Sequence, residues 1–151
     1  MKVVLDANIL LRSAEPSSPQ HPIALLAVDE LIRRGEDLVT FNQSAFEFWV
    51  VATRPIVNNG LGLKPHEADA WLDVLLARFP KLDDHSDLFV EWRTLVRTHS
   101  ISGKPAHDAR YVAGMNTDGI AHILTFNVAD FARFPGITVL DPVAVAATLT
   151  P

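Results

Sequence analysis

The sequence VVLDANIL fills residues 3–10, and the three consecutive apolar residues at its start run directly into Asp6. A short apolar run of this kind is typical of a strand that is buried on both faces of a parallel sheet. Ligand sites in open α/β sheets lie beyond the carboxyl ends of the strands. The stretch therefore predicts a buried first strand at residues 3–5, with an acidic side chain at its functional end.

Apolar runs alternate with helical patterns along the rest of the chain. Apolar and β-branched runs predict strands at residues 38–41, 123–126 and 137–140, with a very short candidate strand at 81–82. Helical spacing and end signals predict helices at residues 22–34, 45–53, 68–79, 88–99, 105–118 and from 142 onward. This alternation predicts one α/β domain over residues 1–151, with a mostly parallel central sheet and helices on both faces.

Composition narrows the class of protein. A chain of 151 residues is long enough for one compact domain, and 48% hydrophobic with 21% charged residues excludes a disordered or low-complexity class. The lack of cysteine excludes disulfides, thiolate metal sites and a cysteine nucleophile. An early aspartate interrupts the apolar run that a secretory signal needs, and no apolar stretch is long enough to span a membrane. We expect a soluble, cytoplasmic protein.

The formal net charge of −5 bears on the choice of partner. Phosphate binding usually requires a basic surface, so this charge at first argues against a nucleic-acid partner. However, an enzyme that holds divalent cations on carboxylates carries local negative charge, and the bound ions reverse the sign of the site. Net charge alone therefore does not decide the substrate.

Four acidic residues stand at positions that suit a site, and each also has a purely structural interpretation. Asp6 ends a strand, where it is either a ligand or an ordinary turn residue. Glu47 lies within an otherwise apolar helix, so it is either exposed at the helix edge or held inward for a function. Asp108 lies near a helix N-terminus, which stabilises a carboxylate whatever its role. Asp130 follows a strand and is either a site acid or a turn cap.

These residues and their surroundings resemble the motifs of PIN domains, and among them those of bacterial VapC-like toxins. The resemblance covers nearly the whole chain and rests on VVLDANIL at 3–10, Glu47 in a helix after the second strand, HDA at 107–109 and LTFNVADF at 124–131. It implies a PIN-like fold and the role of toxin in a type II toxin–antitoxin system.

The resemblance also implies two sets of site residues. The catalytic and metal-binding set is Asp6, Glu47, Asp108 and Asp130. The set of supporting polar residues around the cofactor is Asn8, Thr125 and Asn127. The chain departs from the family pattern at Ala7, where a threonine is common, and at Asn127, where many members carry an acid. The second departure leaves the number of bound metal ions open.

The implied activity is that of an endoribonuclease that depends on Mg²⁺ or Mn²⁺. Hard cations prefer oxygen ligands, which four acids supply, and a metal-activated water then needs no side-chain nucleophile. Zinc is disfavoured because no two of the six histidines stand at ligand spacing on one helix. An aspartyl-phosphate phosphatase is disfavoured because Asn8, rather than an aspartate, stands two residues after Asp6.

The implied partners are an RNA substrate, a small VapB-like antitoxin and a second copy of the chain. The amphipathic helices at residues 68–79 and 88–99, which carry Trp71 and Trp92, suit a dimer or antitoxin interface. The alternative is a PIN-fold binding or scaffold module without catalysis, in which the acids serve structure only.

Overall fold

A five-stranded parallel sheet forms the centre of the computed structural model, which describes residues 1–149. The strands in chain order are β1 Lys2–Leu5, β2 Asp37–Phe41, β3 Lys81–Leu82, β4 His122–Leu124 and β5 Thr138–Leu140. Their spatial order is β3-β2-β1-β4-β5, and every neighbouring pair is parallel. The chain therefore builds one half of the sheet outward from β1, then returns to build the other half, which makes the gap between β1 and β4 the switch point.

Eight α-helices accompany the strands within residues 1–149. They are α1 Ala7–Ser13, α2 His21–Arg33, α3 Asn42–Thr53, α4 Pro65–Arg78, α5 Leu88–Thr98, α6 Pro105–Asp118, α7 Val128–Phe131 and α8 Pro142–Ala147, with a 3₁₀ turn at Ile56–Asn58. Successive side chains of a strand point to opposite faces. Accordingly, Val3 and Leu5 join one core cluster, whereas Val4 joins the other.

The two core clusters lie on opposite faces of the sheet. The first packs β1 against helices α1 to α4 and α8, with Phe48 among its fully buried side chains. The second packs Val4 and Ile123 against α6 and α7, with Tyr111 and Phe131 buried between them. The prediction of an α/β fold with a parallel sheet and helices on both faces is confirmed. Residues 150 and 151 of the predicted single domain lie outside the described residues.

Several predicted boundaries differ from the observed ones. The strand predicted at 123–126 ends at Leu124, so Thr125 lies in the loop that follows β4. The helix predicted from residue 45 begins at Asn42, because the Ser44 hydroxyl accepts a hydrogen bond from the backbone N–H of Phe41 and extends the first turn. Helix α1 was not predicted, since four of its seven residues are buried and no capping side chain marks its start. Gly119 ends α6 as predicted, with a φ of 67° in the left-handed region.

None of the helices within residues 1–149 combines the length and apolar character that a membrane crossing requires.

Candidate active site

Asp6 lies at the switch point of the sheet, immediately after β1. The parallel ladder between β1 and β4 continues into this position, because the backbone N–H of Asp6 donates to the carbonyl of Leu124 at 3.1 Å. The side chain is only 6% exposed. Its Oδ2 accepts hydrogen bonds from Thr125 Oγ1 at 2.7 Å and from Asn8 Nδ2 at 3.2 Å. Two residues of the predicted supporting set therefore contact the first predicted acid.

The same two residues hold the loop after β4. Asn8 Nδ2 also donates to Thr125 Oγ1 at 3.1 Å, and Asn8 Oδ1 accepts from the backbone N–H of Phe126 at 3.3 Å. The backbone N–H of Asn127 donates to Thr125 Oγ1 at 3.0 Å. Asn127 is itself exposed, and it contacts Thr125 through its backbone N–H.

Glu47 lies on α3 and is partly buried rather than exposed at the helix edge. Its Oε1 accepts a hydrogen bond from Gln43 Nε2 at 2.9 Å, and its Oε2 accepts one from the Tyr111 hydroxyl at 3.3 Å. The Ser44 hydroxyl anchors the same helix to the sheet, since it donates to the carbonyl of Leu5 at 3.0 Å. Glu47 is thus held inward beside the end of β1.

Asp108 and Asp130 approach from the second half of the chain. Asp108 lies in the first turn of α6 and is partly buried, whereas Asp130 lies in α7 and is exposed. The charges of Asp130 and Glu47 both act on Asp108, and the charges of Glu47 and Asp108 act on Asp6. Asp6, Glu47 and Asp108 therefore lie within electrostatic range of one another, and Asp130 lies within range of Asp108.

Burial and mutual repulsion perturb two of these acids. Desolvation raises the pKa of Asp6 from 3.8 to about 6; the hydrogen bond from Thr125 opposes this rise, and the charges of Glu47 and Asp108 add to it. Desolvation, followed by the charges of Asp130 and Glu47, raises the pKa of Asp108 to about 6 as well. Such clustered, perturbed acids are characteristic of functional sites.

The site lacks compensating cations among the described residues. None of the four acids forms an ion pair with a lysine or arginine within residues 1–149. Lys104 and His107 act on Asp108 only weakly, as the last causes of its shifted pKa. In the same part of the chain, no group of three or more acidic or histidine side chains is already close enough to enclose a metal ion. The four acids therefore form a loose group of carboxylates and not a closed metal cage.

Sequence reasoning missed Gln43 and Tyr111, both of which touch the site. Gln43 is 5% exposed and Tyr111 is 1% exposed. The available signal was helical spacing: Gln43 precedes Glu47 by four residues and Tyr111 follows Asp108 by three, which places each pair on one helix face. Tyr111 is also the only tyrosine of the chain.

Arg110 and Arg133 are the arginines closest in sequence to Asp108 and Asp130. Arg110 Nη2 donates to Asp84 Oδ2 at 3.1 Å, so this arginine already has an anionic partner. Arg133 and Lys104 are exposed. Within residues 1–149, neither of them forms an ion pair with a carboxylate.

Comparison with known proteins shows that the fold of this chain is similar to that of solved structures. No protein-family model matches the chain, and no curated protein matches it. A chain of VapBC2 from Rickettsia felis, solved bound to a DNA fragment from its promoter, is similar in structure with a TM-score of 0.67. It is 17% identical, and the match covers 93% of this chain and 98% of that one.

Two further solved structures are similar. DNA-bound VapBC from Salmonella typhimurium has a TM-score of 0.66 at 17% identity, with 94% of this chain and 98% of that one covered. VapC20 from Mycobacterium tuberculosis, described as a sarcin–ricin loop cleaving toxin, has a TM-score of 0.58 at 18% identity, with 80% and 86% covered. At these identities the likeness concerns the fold. The chain therefore has the PIN-domain fold of VapC-like proteins, as the sequence motifs predicted.

Proposed function

We propose that this chain is an endoribonuclease that depends on Mg²⁺ or Mn²⁺ and acts in the cytoplasm as the toxin of a VapBC-type toxin–antitoxin pair. The observation that carries the proposal is Asp6, a carboxylate that is 6% exposed, has a pKa raised to about 6 and lies within reach of two further acids. Gathering such charges without a cationic partner destabilises a folded protein, so a bound cation is the natural compensation.

The residues present fit a hard divalent cation. Asp6, Glu47 and Asp108 would hold it, with Asp130 available from the outer edge. When bound, such an ion supplies charge compensation and the Lewis acidity that makes a water nucleophilic near neutral pH. Mg²⁺ usually takes only one or two protein carboxylates and keeps several of its waters, so the acids need not enclose the ion before it binds.

The remaining polar residues of the site would orient the Asp6 carboxylate and attract the RNA substrate. Thr125 and Asn8 fix one oxygen of the Asp6 carboxylate, which presets its direction before substrate arrives. Asn127 is exposed beside Asp130 and can donate an amide N–H to a phosphate oxygen. Lys104, whose charge acts on Asp108, and Arg133, three residues after Asp130, are exposed and can attract the RNA backbone.

The partner proposal has separate support. The similar structures from Rickettsia felis and Salmonella typhimurium are VapBC complexes, and VapC20 is described as an RNA-cleaving toxin. In this chain, α5 contains no fully buried residue although its apolar residues recur at helical spacing, and Phe89 and Val90 are 63% and 66% exposed. We propose that a second copy of the chain and a small VapB-like antitoxin cover apolar surface of this kind.

A PIN-fold scaffold without catalysis is the second candidate. The observation in its favour is that no three acidic or histidine side chains within residues 1–149 are close enough to enclose an ion. Calorimetric titration with Mn²⁺ separates the two functions. The nuclease binds Mn²⁺ and loses the binding in Asp6→Asn, whereas a scaffold binds none.

The decisive test of the nuclease is cleavage of total bacterial RNA by the purified protein with millimolar Mg²⁺ or Mn²⁺. We expect cleavage that EDTA abolishes and that Asp6→Asn removes while the circular dichroism spectrum stays unchanged. The matched control is Asp73→Asn, which neutralises an exposed carboxylate of α4 away from the acids. Equal cleavage by wild type and Asp6→Asn contradicts the proposal, as does a wild-type protein that cleaves no RNA with either metal.

A further inference from the structure

Both oxygens of the Glu47 carboxylate are occupied by donors from buried side chains. Gln43 Nε2 lies 2.9 Å from Oε1, and the Tyr111 hydroxyl lies 3.3 Å from Oε2. A glutamate side chain has three rotatable bonds and samples several rotamers when it is free. Because the two donors bind different oxygens, they restrict how far the Glu47 side chain extends and the plane in which its carboxylate lies.

Each donor is also tied to a backbone group beside another acid. Gln43 Nε2 donates a second hydrogen bond, at 2.7 Å, to the carbonyl of His107, the residue before Asp108. The Tyr111 hydroxyl accepts a hydrogen bond, at 3.2 Å, from the backbone N–H of Ala7, the residue after Asp6. The two side chains therefore connect Glu47 to the peptide units next to both of its neighbouring acids.

Burial keeps this connection rigid. Gln43 and Tyr111 are 5% and 1% exposed, so water does not compete freely for their polar atoms. The Tyr111 ring is further held by Phe131, with ring centroids 6.2 Å apart in an edge-to-face arrangement.

We infer that Gln43 and Tyr111 are positioning residues that set the Glu47 carboxylate at a fixed place relative to Asp6 and Asp108, and thereby raise the affinity of the site for a divalent cation. This inference rests on the proposed function and deepens it, because it assigns part of the metal affinity to residues that do not contact the ion. Neither residue reaches substrate, since both are buried.

The test is calorimetric titration of the full-length protein with Mn²⁺ in wild type, Tyr111→Phe and Gln43→Met. Each substitution removes the donor to Glu47 and keeps nearly the same side-chain volume. We expect Mn²⁺ affinity to fall by roughly 10-fold to 100-fold in each variant, the range typical for groups that orient metal ligands. The Mn²⁺ concentration for half-maximal RNA cleavage rises by a similar factor.

A structural role alone predicts a different pattern, and Thr40→Val is the matched control for it. Thr40 is fully buried in β2, and its hydroxyl donates to the carbonyl of Phe79 at 3.2 Å, away from the acids. Removing this hydroxyl lowers the melting temperature, as Tyr111→Phe does, but leaves Mn²⁺ affinity at the wild-type value.

A further control uses the Glu47→Gln background, in which Tyr111→Phe has no additional effect on Mn²⁺ affinity if the tyrosine acts through Glu47. Wild-type Mn²⁺ affinity in both Tyr111→Phe and Gln43→Met, with only a lower melting temperature, overturns this inference and leaves the proposed function standing. A wild-type protein that binds no Mn²⁺ overturns the proposed function and this inference together. The two failures are therefore distinct.

Discussion

Replacing Asp6 by asparagine should make the metal-free protein more stable at neutral pH. The wild-type carboxyl has a pKa of about 6 in the folded state, against an ordinary value of 3.8. Between these two pKa values the folded protein binds more protons than the unfolded chain does. The unfolding free energy of the wild type therefore falls as pH rises from the lower pKa to the higher one, and it reaches its lowest level above about pH 6. Asparagine does not ionise and escapes this loss.

The magnitude follows from the same two values. The difference between 3.8 and about 6, at about 1.4 kcal/mol for each pH unit, corresponds to about 3 kcal/mol of unfolding free energy at neutral pH. A neutral amide accepts weaker hydrogen bonds from Thr125 and Asn8 than a carboxylate does, which reduces the gain. We therefore expect Asp6→Asn to be more stable than wild type by about 1–3 kcal/mol at neutral pH.

The assay is urea unfolding in EDTA, followed by the fluorescence of the three tryptophans, between about pH 4 and about pH 7. The difference in unfolding free energy between Asp6→Asn and wild type should be near zero at the lower end and largest at the upper end. Asp73→Asn, at an exposed position, should show no such rise. Adding Mn²⁺ should stabilise wild type and not Asp6→Asn.

One result refutes this reasoning directly. If Asp6→Asn in EDTA is less stable than wild type at neutral pH, or if the difference does not change with pH, then Asp6 does not carry a destabilising charge. The electrostatic case for a cation at this site would be removed with it.

Three further predictions concern chemistry, stability and assembly. RNA fragments should carry a 5′-phosphate and a 3′-hydroxyl, because attack by water expels the 3′-oxygen; a 2′,3′-cyclic phosphate formed in EDTA would remove the acids from the chemistry. Arg33 and Arg34 lower the pKa of Glu30 to about 2. Glu30→Gln should therefore lower the melting temperature above about pH 4.5, and this effect should disappear as pH falls through about 2. An effect of equal size at both ends of this pH range contradicts the prediction. Phe89→Asp should weaken self-association measured by light scattering if α5 lies in the dimer interface, whereas an unchanged mass rules out that placement.

Much of the fold could be predicted from sequence because its signals are local. The apolar run before Asp6 and the alternation of strand and helix patterns depend only on neighbouring residues, and both survive in the observed parallel sheet. Helix α1 escaped prediction for the same reason. It is short, it is buried on most sides, and its N-cap, Asp6, makes no side-chain capping bond. Its start therefore carries no local marker.

The sequence by itself determined which acids are present, their order and the strand or helix to which each one belongs. Tertiary structure alone decided how they interact. The contact between Thr125 and Asp6 joins residues that are 119 positions apart, and it depends on the register of β1 against β4. The contact between Tyr111 and Glu47 joins residues that are 64 positions apart, and it depends on how α6 packs on α3. The pKa of Asp6 is likewise a property of burial and of the charges of Glu47 and Asp108, which two different helices bring to it. No periodicity encodes these distances, because long-range packing sets them.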